Sequence, residues 1–130
     1  MTERFVLDAS ALLCLLKGEQ GAERVLSVLV RTVVSAVNLA EVYGKLADAG
    51  GSEDRIAQAI GGLHLRVEPF DDDQARRAGM LQPLTKSLGL SLGDRACLAL
   101  AQHRGATALT ADRIWDDLPD SIGVSVEVIR

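Results

Sequence analysis

Residues that bind soft metals or form disulfide bonds are scarce in this 130-residue sequence. It contains two cysteines, Cys14 and Cys97, and two histidines, His64 and His103. Both cysteines lie in apolar, helix-like runs and lack the spacing of a disulfide or metal pair, which indicates buried thiols in a reducing compartment. The two histidines are isolated from each other. Because there is no cluster of histidine and cysteine, we do not expect a zinc site.

The sequence also lacks an apolar run of the roughly 18 residues that a membrane span requires. No signal-like segment is evident at its start, because the first four residues lead almost at once into a strand-like run. We therefore expect a cytoplasmic protein with no membrane partner. The formal net charge of −4 does not suggest a protein that binds nucleic acid through bulk positive charge. An enzyme that contacts phosphates through metal ions and a local basic patch remains compatible with that charge.

The length suits one domain over residues 1–130, and a hydrophobic content of 48% is enough for a full core. Short β-branched or apolar runs predict strands at residues 4–8, 32–35, 64–69, 106–110 and 124–129. Helical periodicity predicts helices between them, at residues 11–17, 22–31, 36–49, 52–61, 71–83 and 91–104. This alternation predicts an α/β fold whose parallel sheet is covered by helices on both faces.

An acidic residue interrupts the apolar run at residues 5–13. Asp8 ends the first predicted strand, and Ser10 is the predicted N-cap of the following helix. A carboxylate in apolar surroundings must be paired, protonated or bound to metal, because burying an isolated charge is costly. The first cation after it is Lys17, at least a helical turn beyond Ser10. We therefore expect the partner of Asp8 to come from elsewhere, and we assign Asp8 no capping role.

Four acids are predicted at the same end of the sheet. Asp8 and Asp112 follow strands, whereas Glu41 and Asp94 lie near the starts of helices. In a parallel sheet these positions converge at the carboxyl ends of the strands. Several converging carboxylates need a counter-charge, and an oxygen-only ligand set suits Mg²⁺ or Mn²⁺. Asp116 lies one helical turn beyond Asp112 and could extend the site.

Each of three acids also has a structural interpretation. Glu41 lies three residues after Asn38, and Asp94 lies three residues after Ser91, so either acid could complete a capping box. Asp112 could be an ordinary N-cap. Such caps contribute about 0.5–2 kcal/mol each. Basic residues are candidates for contacts with phosphate, with surface charge as the default interpretation: Arg76, Arg77, Lys86, Arg95 and Arg113.

Four segments together resemble the PIN domain, specifically the VapC-type toxins of bacterial toxin–antitoxin pairs. They are residues 6–13 (VLDASALL), 38–42 (NLAEV), 90–101 (LSLGDRACLALA) and 109–113 (LTADR). Each segment is a weak signal alone, but their order and spacing extend the resemblance over about residues 5–115. The resemblance implies a three-layer α/β/α fold around a central parallel sheet of five strands.

The resemblance also implies a function, a Mg²⁺- or Mn²⁺-dependent endoribonuclease that cuts tRNA, rRNA or mRNA and so restricts translation and growth. By motif match, its catalytic and metal-binding acids would be Asp8, Glu41, Asp94 and Asp112. Ser10 and Thr110 correspond to hydroxyls found beside the first and last acids of the family. The implied partners are an RNA substrate, a second copy of the chain and a VapB-type antitoxin, assembled as a heterotetramer or larger complex.

Three alternatives belong to other functional classes. A haloacid-dehalogenase-like phosphatase would use Asp8 as nucleophile, but it requires a second aspartate where this sequence has Ser10. A receiver-like signalling domain requires a lysine at the end of a late strand, where residues 109–111 contain none. The third alternative is a PIN module that binds RNA without cutting it, and the complete set of acids argues against it.

Overall fold

The computed structural model describes residues 4–130, and in that part of the chain five strands form one parallel sheet in the order β3-β2-β1-β4-β5. Their bounds are β1 Phe5–Leu7, β2 Thr32–Ser35, β3 Arg66–Glu68, β4 Thr107–Thr110 and β5 Val126–Val128. Residues 1–3, on which the expectation of a chain without a signal segment partly depends, lie outside the described residues. The predicted number of strands and their parallel pairing are confirmed.

Strand β1 occupies the centre of the sheet. Its first residue, Phe5, is in register with Thr32 of β2 and with Thr107 of β4. Val6 and Leu7 have no exposed surface, as expected for a strand covered on both faces. The two outer strands, β3 and β5, are three residues long each and therefore shorter than the predicted ranges 64–69 and 124–129.

Seven α-helices connect the strands within residues 4–130: α1 Ala9–Lys17, α2 Ala22–Val28, α3 Ala36–Asp48, α4 Glu53–Gly61, α5 Asp72–Met80, α6 Gln82–Thr85 and α7 Leu92–Arg104. Helix α2 ends three residues earlier than predicted and continues as the 3₁₀ turn Leu29–Arg31. The predicted interruption near Pro83 is confirmed, since Pro83 lies in the first turn of α6, where its missing N–H is not needed.

Two apolar cores, one on each face of the sheet, define the three layers. Side chains of α1 to α4 form one core with Leu7, Val34 and Leu109 of the strands. The other core is built on Val6 and Val33 by α7 and by the segments around it. Alternate strand residues therefore point to opposite faces, and the predicted α/β/α architecture is confirmed.

Helix α7 is buried on all sides in its middle, where six consecutive residues from Ala96 to Ala101 are at most 1% exposed. It contacts α5, α3 and the strands β1, β2 and β4. This packing holds its first turn, which carries Asp94, at the carboxyl ends of the central strands. Among the helices of residues 4–130, none has the length and apolar character needed to cross a membrane.

Candidate active site

Asp8 is the N-cap of α1, and its carboxylate accepts three short hydrogen bonds. Its Oδ1 accepts from the backbone N–H of Ala11 (2.8 Å) and from the Ser10 hydroxyl (2.7 Å). Its Oδ2 accepts from the Thr110 hydroxyl (2.5 Å). The predictions that Ser10 caps this helix and that Asp8 has no capping role were wrong. The extended backbone at Asp8 lets its side chain reach the first turn of its own helix.

The environment of Asp8 works against its ionisation. The residue is 3% exposed, and all its hydrogen-bond donors are neutral groups. Burial raises the pKa of Asp8 from 3.8 to about 6, the nearby charge of Asp94 raises it slightly, and the three hydrogen bonds oppose the rise. Asp8 is therefore a carboxylate whose charge a bound cation would stabilise.

The hydroxyl groups of Ser10 and Thr110 link Asp8 by hydrogen bonds to the end of strand β4. The Ser10 Oγ donates to Asp8 and accepts from the backbone N–H of Ala111 (2.8 Å). The Thr110 Oγ1 donates to Asp8 and accepts from the backbone N–H of Asp112 (3.0 Å). The two hydroxyl oxygens lie 3.3 Å apart. Ser10 and Thr110 thus orient Asp8, in positions that match the supporting role predicted for them.

Glu41 is held against the first turn of α7. The Asn38 Nδ2 donates to Glu41 Oε1 (2.9 Å) and to the carbonyl of Gly93 (2.9 Å). A Cβ atom at residue 93 would overlap both carboxylate oxygens of Glu41. The capping-box interpretation of Glu41 was wrong, because α3 begins earlier and Ser35 is its N-cap.

Asp94 has a structural role in α7 as well as a place in the site. It forms a capping box, in which Asp94 Oδ2 accepts from the Ser91 N–H (2.9 Å) and the Ser91 hydroxyl accepts from the Asp94 N–H (3.2 Å). The capping interpretation of Asp94 is therefore confirmed. The charge of Asp94 also acts on Asp8 and raises its pKa, so capping does not remove Asp94 from the group of acids.

Cys97, one helical turn after Asp94 on α7, is a buried residue within electrostatic range of three of the predicted acids. Burial raises the pKa of its thiol well above the ordinary value, and the charges of Asp8, Asp94 and Glu41 raise it further. Three carboxylates from three separate elements therefore lie near enough to Cys97, at the carboxyl end of the sheet, for their charges to act on its thiol. The structure brings these three predicted site residues together.

Asp112 and Asp116 lie at the edge of this group. Asp112 is the N-cap of the 3₁₀ turn Arg113–Asp117, and its Oδ1 accepts from the Ile114 N–H (3.1 Å). Its backbone N–H joins it to the Asp8 network through Thr110. Asp116 is exposed on the same turn, and no hydrogen bond from residues 4–130 links it to the other acids. The N-cap interpretation of Asp112 is confirmed, and its catalytic role stays a prediction.

Most of the basic residues considered for phosphate contacts already bind within the protein. Arg76 and Arg77 both pair with Asp73. Arg95 donates from Nη1 to the carbonyl of Ala78 (3.0 Å). Arg113 is exposed next to Asp112, which leaves it better placed than these three to meet a substrate.

Three contributors to the site were not identified from the sequence as functional. Asn38 was considered only as a cap, although its place one helical turn before Glu41 was a usable signal. Gly93 precedes Asp94 in a helix, where glycine is unfavourable without a packing reason. Cys97 carried no signal, because a buried thiol in an apolar helix is common.

The donor set fits a hard divalent cation. Within residues 4–130, no three His, Cys, Asp or Glu side chains are already arranged around a common metal position. However, Glu41 Oε2 and Asp94 Oδ1 accept no hydrogen bond from these residues, so both oxygens are available to a metal ion. All the candidate metal ligands are carboxylate oxygens. Mg²⁺ typically takes only one or two carboxylates and retains water, so two acids turned toward one ion would suffice.

The sequence matches the PIN domain family over residues 5–120. The chain belongs to the PIN domain family. This assignment contradicts the phosphatase-like and receiver-like alternatives. A comparison with curated protein sequences gives no significant match.

Solved structures with the same fold include toxin–antitoxin proteins. VapBC-5 of Mycobacterium tuberculosis is 27% identical with a TM-score of 0.65, and 98% of each chain is covered. VapBC2 of Rickettsia felis, bound to a promoter DNA fragment, is 15% identical with a TM-score of 0.74, over 95% of this chain and 96% of that one. VapC20 of M. tuberculosis, a sarcin–ricin loop cleaving toxin, is 20% identical with a TM-score of 0.71, over 87% of this chain and 93% of that one.

Proposed function

We propose that this protein is the VapC-type toxin of a type II toxin–antitoxin system and that it is a metal-dependent endoribonuclease. The observation that carries the proposal is that Asp8, Glu41 and Asp94, from three separate elements, lie at the carboxyl end of the sheet in a chain of the PIN family. The similarity to VapBC proteins, and to a sarcin–ricin loop cleaving toxin, supports this choice within the family.

In this proposal Asp8 and Asp94 hold a divalent cation, with Glu41 and Asp112 as further acidic groups of the site. A bound Mg²⁺ or Mn²⁺ would act as a Lewis acid and would lower the pKa of a bound water. Ser10 and Thr110 keep the Asp8 carboxylate in one orientation. The N-terminus of α7 offsets part of the negative charge of Asp94. Hydrolysis of the RNA phosphodiester bond would leave a 5′-phosphate and a 3′-hydroxyl.

The partners follow from the same proposal. The toxin would form a homodimer, and a VapB-type antitoxin would bind it in a heterotetramer or larger complex. The site of action would be the cytoplasm, where tRNA, rRNA and mRNA are available. The related VapBC complexes support these partners.

The test is an RNA cleavage assay with purified protein and added Mg²⁺ or Mn²⁺. Asp8→Asn keeps the shape of the side chain and removes its charge, so we expect it to abolish cleavage while the protein remains folded. Asp72→Asn is the matched control, because Asp72 is exposed on α5 and takes no part in the site. Chelation of the metal by EDTA should abolish cleavage by the wild type.

Two results would contradict this proposal. Cleavage by Asp8→Asn at the wild-type rate would show that the acids were assigned wrongly. Binding of RNA by the wild type without cleavage, under all metal conditions, would instead favour the remaining alternative, a PIN module that acts by occupying its RNA.

A further inference from the structure

Asn38 is a buried amide whose two N–H bonds connect two parts of the site. The residue is 1% exposed, and its Nδ2 donates to Glu41 Oε1 and to the Gly93 carbonyl, at 2.9 Å each. An amide nitrogen has two hydrogens, and both are used here. The orientation of the amide is therefore determined by its surroundings, since a flipped amide would place its oxygen against two acceptors.

The Glu41 carboxylate has little freedom at this place. On one side it lies on the backbone of α7, where only a glycine at position 93 leaves room for it. On the other side Asn38 is its hydrogen-bond donor. Its second oxygen, Oε2, accepts no hydrogen bond from residues 4–130. One carboxylate oxygen is thus held by the protein and the other is available.

The amide oxygen of Asn38 indicates that this residue does more than stabilise the fold. Asn38 Oδ1 is buried and has no hydrogen-bond partner within residues 4–130. An unpartnered buried acceptor lowers the stability of the folded state, and an apolar side chain of similar size would avoid this loss. The benefit of an asparagine here therefore lies in what its Nδ2 holds in place.

We propose that Asn38 is a positioning residue, which holds Glu41 at a set distance from Asp8 and Asp94 so that the three carboxylates can serve one divalent cation. This inference rests on the proposed metal-dependent function. Asn38 itself would not touch the metal or the RNA. Without its N–H groups, Glu41 would lose its donor and α3 would lose its link to the first turn of α7.

The test measures Mn²⁺ binding directly, by the loss of the electron paramagnetic resonance signal of free Mn²⁺, and needs no RNA. Asn38→Leu keeps the volume and removes the donor, and we expect it to weaken Mn²⁺ binding about 10-fold, as is typical when the partner of a metal ligand is removed. In a Glu41→Gln background the same change should alter the affinity less than about twofold, because the group it positions is no longer charged.

Gln74→Leu is the matched control. Gln74 is also 1% exposed, donates from Nε2 to a backbone carbonyl, that of Pro69, and has an unpartnered Oε1. It lies on α5, away from the acids. This variant likewise replaces a buried amide with an apolar side chain, and it should keep the wild-type affinity for Mn²⁺.

A second variant covers the case in which Asn38→Leu does not fold. Gly93→Ala leaves Asn38 intact and displaces the end of the flexible Glu41 side chain, so it should also weaken Mn²⁺ binding, and only when Glu41 is present. Wild-type affinity in folded Asn38→Leu, or in Gly93→Ala where Asn38→Leu does not fold, would overturn the positioning role alone. Failure of the wild type to bind Mn²⁺ or to cut RNA would instead overturn the proposed function.

Discussion

Asp8 is a buried acid that accepts hydrogen bonds from three neutral donors and feels the charge of a second acid, Asp94. In the folded protein without metal, its pKa of about 6 lies above the ordinary value of 3.8. Between pH 3.8 and about 6, Asp8 therefore stays largely protonated in the folded state, whereas it is largely ionised in the unfolded chain. By linkage, the contribution of Asp8 to stability falls as the pH rises from about 4 through 6.

The pH dependence of unfolding tests this arrangement. In the presence of EDTA, Asp8→Asn should be more stable than the wild type at pH 7.5, by up to about 3 kcal/mol, because two pKa units correspond to roughly that free energy. The difference should shrink toward zero near pH 4. Urea unfolding at a series of pH values measures it, with Asp72→Asn as the control. A variant less stable than the wild type at pH 7.5 would contradict the raised pKa.

The sequence was sufficient to identify Asp8 but not its partners. A charged residue in an apolar run is visible locally, whereas Thr110 is 102 residues away and reaches Asp8 only through the pairing of β1 with β4. The positions of Asn38 and Gly93 around Glu41 depend on how α3 packs against α7. Such contacts between elements leave no periodic signal in the sequence.

At the scale of elements, the predictions succeeded where local signals are strong. Helix α7 begins at its predicted cap Ser91 and ends at Gly105, whose φ of +62° is typical of a glycine C-cap. The start of α1 was misplaced by two residues because Asp8 and Ser10 are both good N-caps. The lengths of β3 and β5 were overestimated, since the ends of an outer strand depend on its one neighbour.

Ser91 links the stability of α7 to the site. Ser91→Ala removes the acceptor for the Asp94 N–H and should cost about 1 kcal/mol in urea unfolding. It should also weaken Mn²⁺ binding, because the first turn of α7, which carries Asp94, loses its side-chain N-cap. Ser52→Ala removes a similar cap from α4, so it should cost similar stability and leave Mn²⁺ affinity unchanged. Equal Mn²⁺ affinity in both variants would count against a role for Asp94 in binding metal.

At the scale of the whole molecule, a negatively charged chain gathers acids at one edge of its sheet. The repulsion between these acids destabilises several elements at once, because Asp8 follows β1, Glu41 lies on α3 and Asp94 lies on α7. A cation that binds only the folded chain should therefore stabilise all three layers together.

Thermal unfolding with and without metal tests this coupling. Mg²⁺ or Mn²⁺ at about 100 times its dissociation constant should stabilise the folded state by about 2.7 kcal/mol by mass action, and the melting temperature should rise accordingly. The shift should be much smaller in Asp8→Asn. An unchanged melting temperature of the wild type at millimolar metal would count against the site.

The central position of β1 has a consequence for how the protein is made. The hydroxyl partner of Asp8 on β4 is synthesised 102 residues after Asp8 itself. At about 5–20 residues per second, a ribosome needs roughly 5–20 s to add them. During that time the growing chain has no β4 and cannot complete its acidic centre. The complete acidic centre is therefore a property only of chains in which β4 has been synthesised and has paired with β1.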